Sequence, residues 1–390
     1  MSSISLLDDG WDRTFLKLSS YCAEPLCWAY GMIRYKLIMT LDPDKFDNSS
    51  SKIVEIGKRV LIGVGAFFAF TFGIGVTLPA ILTLGCASKL LRAIGFALQK
   101  NNYTHIVTGT PEEVVEGPLK VVTINLLGVA GRLHLDHGGV NAFNERLQTL
   151  VKHIRESKAH VVILEEVYDT LVMEALCREL GGEFAHIFAH MGQSAMGSAG
   201  GLMVLSKCAV HRFDNEDFDN STWQLRRGFA TIEVKRRPED RLPCARVIGI
   251  HLIHNDESKR EEQVAQIING VARRTLSLPT IVAGDSNVER DSKEGELLKK
   301  YLQHGYLGDR PTCTNKMTAQ WYGTEPSGPD EIIDIISLVK RAALPDGRVL
   351  PVVDAGISMK NCRIIELFDS KYDTKTAASD HNGLYCEIDV

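Results

Sequence analysis

Eight polar side chains that could carry chemistry lie beside short apolar runs of the sequence. Asn125 follows the run VVTI, Glu166 follows VVILE and His251 follows VIGI. Strand ends in layered α/β folds open onto the ligand crevice, so polar residues that cluster there are expected to form an active site. The sequence therefore predicts one site that contains Asn125, Glu166, His251, Asp285, Asn287, Asp334, Asp380 and His381.

The residue types in this set favour metal-assisted hydrolysis. Carboxylate and amide oxygens are hard ligands that suit Mg²⁺, with Mn²⁺ as an alternative. Histidine can activate a water or protonate a leaving oxygen near neutral pH. The sequence has no Cys/His set at zinc-finger spacing, no GxxxxGK[ST] phosphate loop and no GxSxG nucleophile elbow. We therefore predict a hydrolase that depends on a divalent cation.

The elements that must position these residues begin near Lys120. Short apolar runs rich in β-branched residues predict strands that are buried on both faces. Helical stretches lie between some of them, at Asn144–Glu156, Leu171–Leu180 and Lys259–Ala272. This mixture predicts a four-layer α/β sandwich, with two packed β-sheets and outer helices. The predicted strands contain KVVTINLLG, HVVILEEV, GGLMVLS, FATIEV, ARVIGIHLI, TIVAGDSN, EIIDIISLV and GLYCEIDV.

The N-terminal third has the composition of a membrane segment. The 29 residues from Val60 to Ser88 carry no charge, whereas a helix needs roughly 20 residues to cross a bilayer. Pro79 and two glycines interrupt this run, so a single span and a re-entrant hairpin are both open. Cations flank both ends, which favours a cytoplasmic position for both ends and for the enzyme. We therefore predict a membrane-associated helical region (1–99), a polar linker (100–118) and a catalytic domain (119–390).

An earlier semi-apolar stretch, Tyr21–Met39, contains Trp28, Tyr30 and Tyr35. It predicts an amphipathic segment at the membrane interface or, alternatively, a soluble helix packed on the catalytic domain. The residues alone leave both alternatives open.

Charge and cysteine usage narrow the partner and the compartment. The formal net charge is -5, so the chain lacks the basic surplus of a typical nucleic-acid binder. This argues against nucleic acid as a partner. The nine cysteines are odd in number and form no CxxC pair, which predicts free thiols in a reducing compartment.

Five ordered pieces of the sequence resemble the motifs of the endonuclease/exonuclease/phosphatase superfamily. They are TINLLG, LEEV, GIHL, GDSN and the pair IDII and SDHNG. Each string alone is weak, but the ordered set spans about 260 residues with each piece at a predicted strand end. The resemblance implies the α/β sandwich and a phosphoric diester hydrolase.

The resemblance also implies roles for the oxygen and amide side chains. Glu166 would be the central metal-binding carboxylate, and Asp380 would help at the metal. Asn125 would bind the metal or the scissile phosphate. Asp285 would position water and metal, and Asn287 would hold a phosphate oxygen.

The resemblance assigns the proton transfers to histidine. His381 would be the general base, with Asp334 orienting its ring. His251 would stabilise the phosphate or protonate the leaving group. The reaction would be in-line attack of water on a phosphodiester, with Mg²⁺ neutralising the charge that develops.

Within this superfamily, the chain is most similar to membrane-anchored neutral sphingomyelinases, in which hydrophobic segments precede the catalytic domain. This implies a phospholipid substrate, with sphingomyelin first, at a membrane. The sequence departs from the pattern at four positions. Ile335 follows Asp334 where an aromatic is common, Thr222 occupies the spacing of an aspartate in these enzymes, and the other two are Glu165 and Arg227. Glu165 replaces the usual glutamine before the catalytic glutamate, which leaves open whether Glu165 also binds metal. Arg227 stands where these enzymes carry a lysine.

Three alternative functions remain open at the level of the sequence. A phosphoinositide phosphatase fits the string GDSNVER, although the tryptophan common before it is missing. A nuclease of the same superfamily is disfavoured by the net charge and the membrane run. A non-enzymatic membrane adaptor is disfavoured because the predicted catalytic set is intact.

Overall fold

The computed structural model describes residues 11–32, 82–99, 101–128, 143–192, 200–221, 226–274, 276–316, 319, 328–344, 347–352, 357–368 and 377–390. Two helices come first, α1 (Trp11–Met32) and α2 (residues 82–98). Alternating strands and helices follow: β1 (Thr104–Val107), β2 (Leu119–Asn125), α3 (Phe143–Ser157), β3 (Val161–Glu165), α4 (Thr170–Leu180), β4 (His186–Ala189), β5 (Met203–Ser206), β6 (Val210–Asp217), β7 (Gly228–Val234), β8 (Ala245–His251), α5 (Glu257–Ala272), β9 (Thr280–Asp285), α6 (Lys293–Lys299), β10 (Leu302–His304), β11 (Asp334–Val339), β12 (Arg341–Ala343), β13 (Val349–Pro351), β14 (Met359–Ile365) and β15 (Gly383–Ile388).

Two mixed β-sheets form the centre of the fold. The first has seven strands in the order β1-β4-β5-β3-β2-β15-β14, and the second has six in the order β10-β11-β9-β8-β7-β6. Strands β2 and β3 pair in parallel in the first sheet, and β8 and β9 pair in parallel in the second. A small ribbon of β12 and β13 completes the described strands. All eight predicted strands and all three predicted helices are present.

Three apolar clusters show how these layers pack. One cluster joins α3 and α4 to the outer face of the first sheet, through residues such as Leu150, Leu176 and Val162. A second lies between the sheets and contains Ile163, Val247 and Leu384. The third joins α5 to the second sheet. Helices therefore cover both outer faces, and the predicted α/β sandwich of two packed sheets is confirmed.

The two N-terminal helices pack against each other in antiparallel fashion. Ser19 of α1 donates to the carbonyl oxygen of Ser88 in α2 at 2.8 Å. Further along, a Cβ at Gly95 would lie 2.8 Å from Leu16 Cγ, so the helices approach closely only because Gly95 has no side chain.

Helix α1 also packs on the catalytic domain. Arg13 makes two hydrogen bonds, of 2.6 and 2.7 Å, with the carboxylate of Glu174 in α4, and Lys17 lies 3.1 Å from the same group. Within the described residues, no helix has both the length and the apolarity that a membrane span requires. Residues 60–81, most of the uncharged run, lie outside the described part, so membrane insertion stays a prediction.

Two sequence-based predictions need correction. Strand β1 lies inside the segment 100–118 that was expected to be a linker, and it pairs with β4 at the edge of the first sheet. This four-residue edge strand alternates between buried and exposed residues, so it carries no continuous apolar run to mark it. The expectation that every cysteine is a free thiol is wrong for Cys362 and Cys386, which are joined by a disulfide between β14 and β15.

Candidate active site

The second sheet places three of the predicted residues side by side. Its parallel register sets His251 at the end of β8 opposite Asp285 at the end of β9, and the antiparallel register sets Asp285 opposite Asp334 at the start of β11. His251 Nε2 lies 3.6 Å from Asp285 Oδ2, and each of these two side chains is 2% exposed. Three neighbouring strands therefore deliver an imidazole and two carboxylates to one edge.

The first sheet contributes an amide and a carboxylate to the same place. Asn125 ends β2, and Glu166 follows the last residue of β3 with a φ of 61° that turns the chain out of the strand. Asn125 Nδ2 donates to Asp285 Oδ2 at 3.0 Å, which ties the two sheets together. Glu166 Oε1 lies 3.9 Å from His251 Nε2. Residues more than 150 positions apart along the chain therefore share one pocket.

The segment before β15 closes the site from the side. Ser379 Oγ donates to the carbonyl oxygen of Asn125 at 2.7 Å, which fixes this segment beside β2. The ring of His381 is hydrogen-bonded through Nδ1 to Asp334 Oδ2 at 2.9 Å. Asp380 is buried, and its charge contributes to raising the pKa of Glu166. The structure thus brings together the strand-end residues and the predicted Asp–His pair.

Burial and charge shift the titration of the two histidines in opposite directions. Burial lowers the pKa of His251 well below its usual value, and Arg227 and His381 add to this effect, so this imidazole is neutral at pH 7. Burial acts in the same direction on His381, but Cys313 and Asp334 outweigh it and hold the pKa of His381 well above its usual value. Burial raises the pKa of Asp334 to about 6.

Asn287 is held by contacts at both ends of its amide. Its backbone has a φ of 51°, and its N–H donates to Asp285 Oδ1 at 2.8 Å. Nδ2 donates to the carbonyl oxygen of Leu252 at 2.9 Å, while Oδ1 lies 2.9 Å from His254 Nδ1. Because Nδ2 carries two hydrogens, one remains for a ligand oxygen. His254, at the end of the string HLIH, was not in the predicted site and is here its neighbour.

Buried polar residues beneath the site were also missed by the sequence reasoning. Arg146 is 3% exposed and donates to the carbonyl oxygens of Leu126, Leu127 and Ala378, at 2.7–2.9 Å. It thereby joins the loop after Asn125 to the segment before β15. The only signal in the sequence is an arginine on the apolar face of a predicted helix.

Glu165 lies under the site and is fully buried. Thr123 Oγ1 donates to its Oε1 at 2.5 Å. Burial raises the pKa of Glu165 well above its usual range, with Asp334 and Asp285 adding to the rise. Burial therefore favours the uncharged form of this carboxyl group, which links β3 to β2 through its hydrogen bond with Thr123.

The donor set fits a divalent cation. Burial raises the pKa of Glu166 to about 7, and Asp380 and Asp285 contribute because like charges lie close together. Within the described residues, Glu165 Oε2, His251 Nδ1, Asp334 Oδ1 and Arg227 Nε are buried around the site without a hydrogen-bond partner. A hydrated cation would neutralise the clustered carboxylates, and the cation's waters and an anionic ligand would supply hydrogen-bond partners for the unsatisfied polar atoms.

Two ligand sets are compatible with this geometry. Ligand atoms of Asp285, Asp334 and His381 all lie within 4.8 Å of one another. The other set is the predicted one, in which Asn125, Glu166, Asp285 and Asp380 bind the ion. Asp334 Oδ2 and His381 Nδ1 already pair by a hydrogen bond, whereas Glu166 and Asp380 repel each other, so we favour the predicted set.

A family model matches residues 122–381, which is most of the described catalytic part. Its description is "Endonuclease/Exonuclease/phosphatase family". This chain belongs to that family. The match runs from β2 to His381, so it encloses every residue of the predicted site. No curated protein matches the sequence.

Solved structures share the fold at low sequence identity. Sphingomyelinase C from Streptomyces griseocarneus has a TM-score of 0.52 at 19% identity, covering 70% of this chain and 99% of that one. A beta toxin mutant from Staphylococcus aureus with bound magnesium ions has a TM-score of 0.51 at 17% identity, covering 69% and 99%. TDP2 from D. rerio, complexed with a single-strand DNA product, has a TM-score of 0.51 at 16% identity, covering 70% and 100%. At these identities the likeness establishes the fold, and it includes structures named for lipid and for DNA.

Proposed function

We propose that the chain hydrolyses a phosphodiester bond of a membrane phospholipid, with sphingomyelin as the first candidate substrate. One observation carries the proposal. Asn125 and Glu166 from one sheet meet His251 and Asp285 from the other, and Asp334 beside them holds the His381 ring. Carboxylates, an amide and two histidines in one pocket are the groups that water attack on a phosphodiester requires.

The residues take distinct roles in this reaction. Asn125, Glu166, Asp285 and Asp380 would hold Mg²⁺, which when bound supplies positive charge next to the phosphate. Asp334 occupies Nδ1 of His381, so the water proton passes to Nε2 of the deprotonated ring, a form that the charge of a bound Mg²⁺ would favour. Attack of the water oxygen forms the new P–O bond, and the P–O bond to the lipid alcohol breaks in line with it.

Two further groups contact the phosphate and the leaving oxygen. Asn287 has one amide hydrogen in excess of its bond to Leu252, and this hydrogen is directed to a phosphate oxygen. His251 is kept neutral, so it donates a hydrogen bond to the leaving oxygen as negative charge develops there. The departing alkoxide takes its proton from solvent.

We also propose that the uncharged run Val60–Ser88 attaches the enzyme to a membrane, with the catalytic domain on the cytoplasmic side. The length of the run and the cations at both ends support this. Helix α1 precedes the run in the chain, α2 contains its last seven residues (82–88), and the two helices pack on each other. Release of the full chain from isolated membranes by high salt alone would refute attachment by insertion.

The function is tested with the full chain and sphingomyelin vesicles. We expect Mg²⁺-dependent release of phosphocholine that disappears with a chelator and with His381→Ala. Parallel reactions measure phosphate release from inositol phospholipids and nicking of plasmid DNA. Activity on either alternative in the absence of phosphocholine release would transfer the assignment to a phosphatase or to a nuclease.

A further inference from the structure

Arg227 is held at the edge of the active site by its backbone. The residue lies just before β7, and its carbonyl oxygen accepts hydrogen bonds from Phe218 N at 2.9 Å and from Ser221 Oγ at 2.6 Å. An arginine on a free surface loop would not have its main chain bonded in this way. The position of Arg227 is therefore built into the fold.

Two glycines fix the peptide that precedes Arg227. A Cβ at Gly192 would lie 2.0 Å from the carbonyl oxygen of Arg226, and a Cβ at Gly200 would lie 2.5 Å from the same atom. No other residue type allows so close an approach between two chain segments. The backbone at residues 226–227 is thus packed from the opposite side as well.

The guanidinium is aimed by two contacts. Its Nη1 donates to the carbonyl oxygen of Leu252, the residue that follows His251. It also lies beside the hydroxyl of Tyr168, whose pKa is raised by burial and by Glu166 and lowered by Arg227. The Tyr168 ring packs directly against the backbone of Gly201, since a Cβ at that position would lie 2.5 Å from ring atom Cε1.

The charge of Arg227 reaches the catalytic groups. It lowers the pKa of His251 and opposes the rise of the pKa of Glu166. At the same time its Nε is buried without a hydrogen-bond partner among the described residues. A buried donor on a permanent cation costs free energy unless an acceptor arrives. An anionic ligand bound in the site would supply such an acceptor.

We propose that Arg227 is a phosphate clamp, a residue whose guanidinium donates to a non-bridging oxygen of the scissile phosphodiester. The planar, permanently charged guanidinium matches phosphoryl oxygens and cannot serve as an acid at neutral pH. It contributes charge where negative charge accumulates in the transition state. Tyr168 is a positioning residue in this arrangement, because it acts through its hydrogen bond with Arg227. The proposal rests on the proposed function in one respect, because it takes a phosphodiester as the ligand. A guanidinium would bind the phosphoryl oxygens of a lipid head group and of free phosphate in the same way.

The test uses the full chain with Mg²⁺ and three variants. Arg227→Gln removes the charge, and Arg227→Lys keeps the charge but loses the planar fork. Arg226→Gln is the matched control, because the neighbouring side chain is 51% exposed and pairs with Asp217 at 3.6 Å. Each protein is assayed for hydrolysis of bis(para-nitrophenyl) phosphate, for cleavage of sphingomyelin in vesicles, and by calorimetry for binding of Mg²⁺ alone and of inorganic phosphate with Mg²⁺ present.

We expect Arg227→Gln to lower kcat/KM for the diester by about 100-fold or more, the scale seen when a donor to transition-state charge is removed. Inorganic phosphate should bind about tenfold more weakly. Mg²⁺ should bind as well as before or more tightly, because a cation near Glu166 has been removed. Arg227→Lys should fall between, and Arg226→Gln should match the unmodified chain.

The binding of Mg²⁺ separates a clamp from a merely structural arginine, whose loss would weaken Mg²⁺ and phosphate together. Such a joint loss, or activity and phosphate binding within threefold of the unmodified chain in Arg227→Gln, overturns the proposal. So does an unmodified chain that neither binds inorganic phosphate nor cleaves the diester. If sphingomyelin is not cleaved while Arg227→Gln still weakens phosphate binding, the clamp stands and the lipid substrate falls.

Discussion

Asp334→Asn decides between the two metal sets that the geometry allows. The substitution keeps the size of the side chain but removes the charge that lies 2.9 Å from His381 Nδ1. A correctly oriented general base contributes about 10²–10⁴-fold to a rate. Loss of its orienting carboxylate should therefore lower kcat by up to this factor, or about 3–5.5 kcal/mol of activation free energy. The affinity for Mg²⁺ should change by less than threefold, because Asp334 is not in the favoured ligand set.

The variant also has a signature in the pH profile. Asp334 helps to hold the pKa of His381 above its usual value, and a base acts only in its deprotonated form. Removing the carboxylate lowers that pKa, so the acid limb of kcat/KM should move to lower pH while the plateau falls. Calorimetry with Mg²⁺ is run beside Glu166→Gln, which should lose the ion. If Asp334→Asn loses Mg²⁺ to the same extent, Asp334 is a metal ligand and the assignment of the Asp334–His381 pair as a base is wrong.

Three further outcomes test the fold around the site. Arg146→Ala leaves three buried carbonyl oxygens unsatisfied. It should lower the free energy of unfolding, measured by urea denaturation, by about 3 kcal/mol. A loss below about 1 kcal/mol would show that the loops around the site do not depend on Arg146. Burial lowers the pKa of His190 to about 3, so the unfolded chain binds the extra proton between pH 6.5 and 3, and stability falls as the pH falls through this window. Between pH 7 and pH 5 the free energy of unfolding should fall by about 2 kcal/mol because of His190. His190→Asn should abolish this pH dependence, and an unchanged pH slope in the variant would contradict the reasoning. Glu174→Gln breaks the ion pair with Arg13 and should increase amide hydrogen exchange in α1. The control is Glu156→Gln, whose side chain is 59% exposed and which should leave this exchange unchanged. Equal exchange in the two variants would refute the contact between α1 and α4.

The central strands and the polar residues at their ends could be predicted because each is encoded locally. A strand buried on both faces reads as a continuous apolar run, and a polar residue at its end stands out against it. The run TIVAGD, for example, is buried throughout, and its last residue is Asp285. Register then follows from packing, since a slip of one residue would place Asp285 away from His251 and Asp334. The order of the motifs along the sequence then indicated that these strand-end residues belong to one site.

The residues that were missed depend on contacts between distant segments. The edge strands β1 and β14 each contain only one buried residue, and only their partners identify them as strands. In the sequence, Arg146 is only an arginine in an amphipathic helix. Its role is visible only when the segment before β15 lies against the helix and supplies an acceptor. His254 acquires a role only when Asn287, 33 residues later, is placed beside it. The pairing of Cys362 with Cys386 likewise depends on the register of two neighbouring strands.

The N-terminal helices bear on catalysis through the start of α4. Asp169 caps this helix by accepting from Leu171 N at 2.8 Å, and it lies three residues after Glu166. The charge of Asp169 opposes the effect of burial on the pKa of Arg92 in α2, so the two side chains are close. His190 bridges Thr170 and Thr104, each at 3.1 Å, in the same region. Helices α1 and α2 therefore pack on α4, whose cap Asp169 lies three residues after Glu166, so displacing them would disturb the segment that follows Glu166.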